Sequence, residues 1–379
     1  MPFLDADRAV CDKLLPDLRQ RLAELPLAEL EADDSPAIEI FRAHGGTNLL
    51  VPASYGGLDA SPLDACRVIR SLAAQAPSMT VATMMHHFSL GTLFAVAELL
   101  GDGSDLEEIL LRRVVEERLL VASGFAEGRT QQGILSPTMT AEEVAGGFLV
   151  NGSKKPCSLS RSMDLLTASV GMAQPDGTVA MGLLMLPADT PGVSIHPFWS
   201  TFALSGAESD EVRLTDVLVT PEQIIAPDAS LADAMTELTT VGLIWFQMTV
   251  CAAYTGIASA LVEQVLNRGR GSASDRAALV VRIESAAALT EGLARRIMDG
   301  ETDNDALTAA LVTRFAAQDA IAAAVNQAVE LLGGMAYIGS SDVAYLAAAS
   351  HCIAFHPPSR TSTVDALMDY YSGYPMVVA

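Results

Sequence analysis

From Leu238 to Val262 the chain carries no charged residue. A run of that length suits either a membrane span or a helix surrounded by protein on every side. Thr239, Thr240, Gln247, Thr249, Tyr254, Thr255 and Ser259 punctuate it, and no basic cluster flanks it. Membrane spans are bordered by interfacial cations, so the run reads as a core or subunit-interface helix, with no membrane as partner. The rest of the chain must then supply elements to wrap it. With 379 residues, half of them hydrophobic, it can do so, and dominant disorder is excluded.

Helical periodicity returns on both sides of the run. Leu231–Asn267, Ser274–Asp299, Asp303–Leu332 and Asp342–Ile353 are expected to be helices, rich in the strong helix former alanine, and to form a bundle. At the other end, Asp5–Leu25, Pro62–Gln75, Ser78–Leu100 and Asp105–Glu117 place apolar residues at helical spacing, with Pro16 expected to interrupt the first. Between Leu119 and Ile225 the pattern changes to short apolar runs punctuated by turn residues. Asn151-Gly152 is expected to be a tight turn, and strands at this spacing without intervening helices predict an antiparallel sheet or barrel. The class is therefore α+β, in three parts: helical 1–118, β 119–227 and a helix bundle 228–379.

A formal charge of −23, from 23 basic and 46 acidic residues, argues against a nucleic-acid partner. No secretory signal is visible at the N-terminus. Five scattered cysteines without C-x-x-C make a disulfide framework or structural zinc improbable, so the expected compartment is the cytoplasm. Walker, H-E-x-x-H and G-x-S-x-G motifs are missing, no metal site is expected, and the glycines from Gly333 to Gly339 follow a helix rather than a strand. Taken alone, the residues reach an acidic, cytosolic, three-part α+β protein and stop there.

Five ordered segments carry the argument further: Leu50-Val51-Pro52-Ala53-Ser54-Tyr55-Gly56-Gly57, Gly124-Phe125-Ala126-Glu127-Gly128, Asn151-Gly152-Ser153-Lys154-Lys155, the stretch from Gly206 to Pro221, and Leu331-Leu332-Gly333-Gly334-Met335-Ala336-Tyr337. Together they resemble the acyl-CoA dehydrogenase family of FAD flavoproteins, whose fold has an N-terminal helical domain, a central antiparallel β domain and a C-terminal four-helix bundle. The resemblance implies FAD as cofactor. It runs Phe125, Ala126 and Glu127 along the flavin ring, puts Pro156, Cys157 and Ser158 on the flavin side with Ser158 as a donor, and brings Glu330, Gly333 and Gly334 to the FAD of a neighbouring subunit. Arg268 and Arg270 are candidates for a pyrophosphate, either pairing with it or simply solvated. A homodimer or homotetramer is implied as well.

The departures concern the base. The family's glutamate position falls on Pro357, its alternative position on the stretch Ile244-Trp245-Phe246-Gln247, and an arginine–aspartate pair of the last helix on Ala348-Ala349. His356 is the nearest replacement base. His86 and His87 are read as satisfied or exposed histidines, Glu127 and Glu208 as loop anchors before bases, Cys157 as a packing residue, and Trp199 and Trp245 as core or cleft lining. The leading expectation is an FAD-dependent oxidoreductase acting on an acyl thioester, carried by CoA or an acyl carrier protein, with an unassigned electron acceptor. The alternatives are a flavin monooxygenase or oxidase, which needs no α-proton base, and a non-catalytic partner subunit.

Overall fold

The computed structural model describes residues 2–100, 105–128, 136–227 and 232–378. Seven helices come first: α1 (Asp5–Leu14), α2 (Leu18–Ala23), α3 (Leu27–Leu30), α4 (Ala37–Ala43), α5 (Pro62–Ala73), α6 (Pro77–Leu100) and α7 (Asp105–Glu117). Pro16 does break the first expected helix: α1 and α2 are separate, and Asp17 between them has φ 64°. Ser61 caps α5 by accepting from the Asp64 N–H at 3.1 Å, with Pro62 at the first helical position, where a missing N–H costs nothing. The Tyr55-Gly56-Gly57 turn needs both glycines. Gly56 has φ 88°, and a Cβ on Gly57 would sit 2.0 Å from the Val51 carbonyl oxygen.

Eight strands follow: β1 (Val121–Gly124), β2 (Thr140–Val144), β3 (Gly147–Cys157), β4 (Leu165–Ala173), β5 (Val179–Pro187), β6 (Val193–His196), β7 (Asp210–Val219) and β8 (Ile224–Ile225). They form one sheet in the order β6-β7-β3-β2-β4-β5-β8, with β1 also paired to β4. The sheet is mixed rather than antiparallel throughout, because β1 and β2 both run parallel to β4. The expected Asn151-Gly152 turn lies inside β3, opposite a bulge in β7, where Thr215 and Asp216 together face Asn151. Asn151 exchanges hydrogen bonds with Asp216 across it.

The bundle comprises α8 (Ala232–Asn267), α9 (Ala273–Met298), α10 (Asn304–Leu332), α11 (Gly334–Gly339), α12 (Ser341–His351) and α13 (Arg360–Tyr371). The charge-free run is the centre of α8, and 94% of its most apolar window is buried within the protein. It is a core helix, touching α5, α6, α9, α10 and α12. Several of its hydroxyls bond within the helix, as when Thr249 donates to Phe246 O and Ser259 to Thr255 O, which lowers the cost of burying them. Helices α3, α4, α11 and α13 lie outside the segments expected to be helical. All five cysteines are buried free thiols.

Candidate functional site

The same edge of β4 is served twice. β1 pairs with Leu165–Ala168, the chain departs, and it returns as β2 beside Gly171 and Met172. The interruption falls at Ser169 and Val170. There Lys154, fully buried in β3, donates to Glu127 and to Ser169 Oγ at 3.0 Å. Glu127 also accepts from the Thr138 N–H at 3.2 Å and from the Thr138 hydroxyl. Burial pushes the Lys154 ammonium below its usual range, opposed by its bond to Glu127. The pair therefore ties the outgoing and returning segments to the sheet, which makes Glu127 an anchor with no free oxygen for proton abstraction.

That anchor lays Phe125 and Ala126, both partly exposed, beside the end of β3, where Ala126 O accepts from the Lys155 N–H at 2.9 Å. Gly128 lies so close to Lys155 that a Cβ would meet its side chain at 2.4 Å. Pro156, Cys157 and Ser158 follow on the same strand end. Burial raises the Cys157 thiol to about 12, so it is no nucleophile, and its Sγ reaches only Ser123 O at 3.6 Å. Ser158 Oγ and Ser209 Oγ are 2.8 Å apart and nearly buried. Two hydroxyls in mutual contact use one proton between them, which leaves the second O–H to donate to a ligand acceptor. Glu208 is an anchor too: it accepts from the Arg161 N–H at 3.1 Å, the Ser162 N–H at 2.8 Å and the Ser162 hydroxyl at 2.7 Å. The segment 125–128 laid along the end of β3 and the spare hydroxyl proton fit a flavin ring; neither fits a metal.

The second group of candidates lies at one end of the bundle. Arg268 and Arg270 are exposed in the turn from α8 to α9, and Glu330, Gly333 and Gly334 close α10. The two segments meet: a Cβ on Gly271 would touch Leu331 at 2.7 Å. Gly333 caps α10 with φ 81°.

The third group brings together the two base positions, distant in sequence. Gln247 Nε2 donates to the Pro357 carbonyl at 3.4 Å, so α8 and the turn before α13 converge at these two positions, neither of which supplies a carboxylate. His356 is engaged there. Its Nε2 is 2.7 Å from the Tyr254 hydroxyl, and its ring meets Phe246 and Tyr254 edge to face. Burial, with the nearby Arg314 charge, lowers its pKa to about 3, so it is a poor base. Arg314 is buried in α10 without a carboxylate partner among the described residues, donating to Gln318 and to the Ile353 carbonyl. His86 and His87 are core residues. His86 bridges Thr47 O at 2.9 Å and the Val121 N–H at 3.1 Å, and His87 packs against Phe41. Trp245 is buried where α8 crosses Gly91, and Trp199 donates to Ala203 O at 2.8 Å.

Lys154, Ser209, Tyr254 and Arg314 receive no site role in the sequence reading, and Gln247 enters it only within the alternative base stretch that lacks a carboxylate. The one signal available for Gln247 and Arg314 is a long polar side chain alone in an apolar helical run.

No protein-family profile matches the chain. Over 378 residues, 100% of both chains, it is 50% identical to isobutylamine N-hydroxylase of Streptomyces viridifaciens. Isovaleryl-CoA dehydrogenase of Oryza sativa subsp. japonica is 22% identical over 315 residues, which is 79% of this chain and 73% of the relative. The chain belongs to the acyl-CoA dehydrogenase-like flavoprotein family. Among solved structures, nitrososynthase from Micromonospora carbonacea var. africana superposes with a TM-score of 0.80 at 22% identity, covering 97% of each chain. FMN-bound TdsC from Paenibacillus sp. A11-2 gives 0.79 at 17% identity over 99% of each. The FAD complex of PigA gives 0.76 at 16% over 98% of this chain and 96% of that one. This flavoprotein is an enzyme, which removes the non-catalytic reading, and its cofactor is a flavin. The FAD expected from sequence narrows to that statement, since neighbours of this fold carry either form.

Proposed function

We propose that this flavoprotein is an oxygen-using monooxygenase that hydroxylates the nitrogen of a small aliphatic primary amine. The end-to-end identity with isobutylamine N-hydroxylase carries the reading. It displaces the acyl-thioester reading expected from the sequence, whose dehydrogenase relative is more distant. The site chemistry supports the change. Thioester dehydrogenation needs a base for the α-proton, whereas both base positions offer only Gln247 and a proline carbonyl, and His356 is a poor proton acceptor.

Amine oxygenation asks for something else: a nitrogen with a free lone pair. Phe88, Phe246, Tyr254 and His356 form a chain of edge-to-face rings beside Gln247, and the burial there disfavours an ammonium ion by stripping its water. The Arg314 charge works in the same direction. A reduced flavin, when bound, supplies the activation of dioxygen. Toward it, Ser158 and Ser209 offer a hydroxyl proton, and Lys154 with Glu127 holds the segment 125–128 in place. We take FAD as the form bound, the cytoplasm as compartment and a homo-oligomer as the assembly.

The test is aerobic turnover of isobutylamine with a flavin reductase and NADPH, following oxygen uptake and N-hydroxylamine. Hydroxylamine formed in proportion to oxygen is the expected outcome. Bleaching of bound flavin by an acyl-CoA without oxygen, with no product from a panel of small primary amines, would return the assignment to the dehydrogenases.

A further inference from the structure

Gln247 lies on the face of α8 that also carries Cys251 and Tyr254, and it is completely buried. Its amide has one bond, the long donation to Pro357 O at 3.4 Å. Because Pro357 presents an acceptor, the amide nitrogen must face it, which fixes the orientation of the group. Oε1 therefore points away and has no hydrogen-bond partner among the described residues. A buried carbonyl oxygen without a donor is costly, by about 1–3 kcal/mol, and apolar residues fill most of the helix around it. No hydrogen bond joins it to His356 among the described residues; that ring's Nε2 is engaged by Tyr254. The unused acceptor thus sits where the two base positions of the fold converge.

We propose that Gln247 binds the amine substrate, its Oε1 accepting an N–H of the neutral primary amine and so aiming the nitrogen lone pair. The inference rests on the N-hydroxylase reading above. An amide suits this task better than a carboxylate would. A carboxylate stabilises the ammonium form, which has no lone pair, whereas an amide oxygen accepts from the neutral amine without favouring its protonation.

The experiment uses the holoenzyme with isobutylamine as the probe, comparing wild type with Gln247→Leu, Gln247→Met and Gln247→Glu. The two apolar variants remove the orphan oxygen, so flavin content and Tm are expected to stay at or above wild type. The KM for isobutylamine should rise about 10-fold, and a larger share of consumed oxygen should leave as hydrogen peroxide. Methionine, being unbranched, covers the case in which leucine is not accommodated. Gln247→Glu should keep or tighten amine binding while kcat falls at least 10-fold. Wild-type KM and wild-type coupling in either folded apolar variant would overturn the proposal, because a purely structural glutamine leaves both unmoved. Failure of the wild type on every small primary amine would instead overturn the N-hydroxylase reading, and this inference with it.

Discussion

Glu31 shows how much one buried side chain can set. It accepts from the N–H and hydroxyl of Ser78 and from the Tyr345 hydroxyl, and burial raises its pKa to about 7. The native state thus holds a proton that the unfolded chain, titrating near 4.5, has released. The associated stability is complete below pH 4.5 and is lost as the pH rises through 7. His86 works in the opposite sense. Its pKa, lowered to about 4 by burial, gives stability that is present above pH 6.5 and lost as the pH falls toward 4. Glu31→Gln should flatten the alkaline decline by up to about 3 kcal/mol. Denaturant unfolding at pH 5 and pH 8 checks this; an unchanged difference between the two would remove Glu31 as its source. Lys154→Met strands the Glu127 carboxylate in the sheet, and should cost about 3 kcal/mol and lower flavin retention. Bound flavin after gel filtration, beside Tm, reads both effects. Neither pair was visible beforehand: Lys154 and Glu127 are 27 residues apart, and the fold alone makes them neighbours.

At the scale of elements, Arg70 joins four helices. From α5 it reaches Asp7 of α1 at 3.4 Å, Ser259 of α8 at 3.3 Å and Glu284 of α9 at 2.6 Å, and it is almost fully buried. Burial outweighs Arg70 at Asp7 and keeps that carboxyl above its usual range, so the junction is already under electrostatic load. Arg70→Met should destabilise by about 3 kcal/mol, measured by urea unfolding. A change under 0.5 kcal/mol would mean that packing alone holds the N-terminal helices on the bundle. Element identity was legible where periodicity was long, as in α8 and α10. It failed where one residue type serves two geometries. Asn151-Gly152 is turn chemistry by composition and mid-strand backbone opposite a β7 bulge by context, and only the pairing of β3 with β7 chooses between them. The parallel strands escaped for a related reason, since strand direction is a property of the pair and not of either segment.

Over the whole molecule, the C-terminal region leaves large apolar side chains in solvent. Met335 is 81% exposed, Ile338 80% and Phe355 77%, and Met368, Tyr371, Tyr374 and Val377 extend the group on α13 and beyond. Exposed apolar groups on this scale favour self-association, so light scattering should give a mass above the 39.8 kDa of one chain. Met335→Glu with Ile338→Glu should shift the mass toward the monomer, and an unaltered mass would place the contact elsewhere. The sequence by itself determined the three-part order, the burial of the charge-free helix and the loss of a carboxylate at both base positions. The first two follow from local composition, which acts through hydrophobic burial whatever the partners are; the third is what the family resemblance implies. Only the tertiary structure decided that Gln247 and Pro357 meet, that Glu127 is held by Lys154, and that His356 is spent on Tyr254. Those outcomes depend on which side chains the packing brings within hydrogen-bond reach and how far it excludes water, and neither is written in the order of residues along the chain.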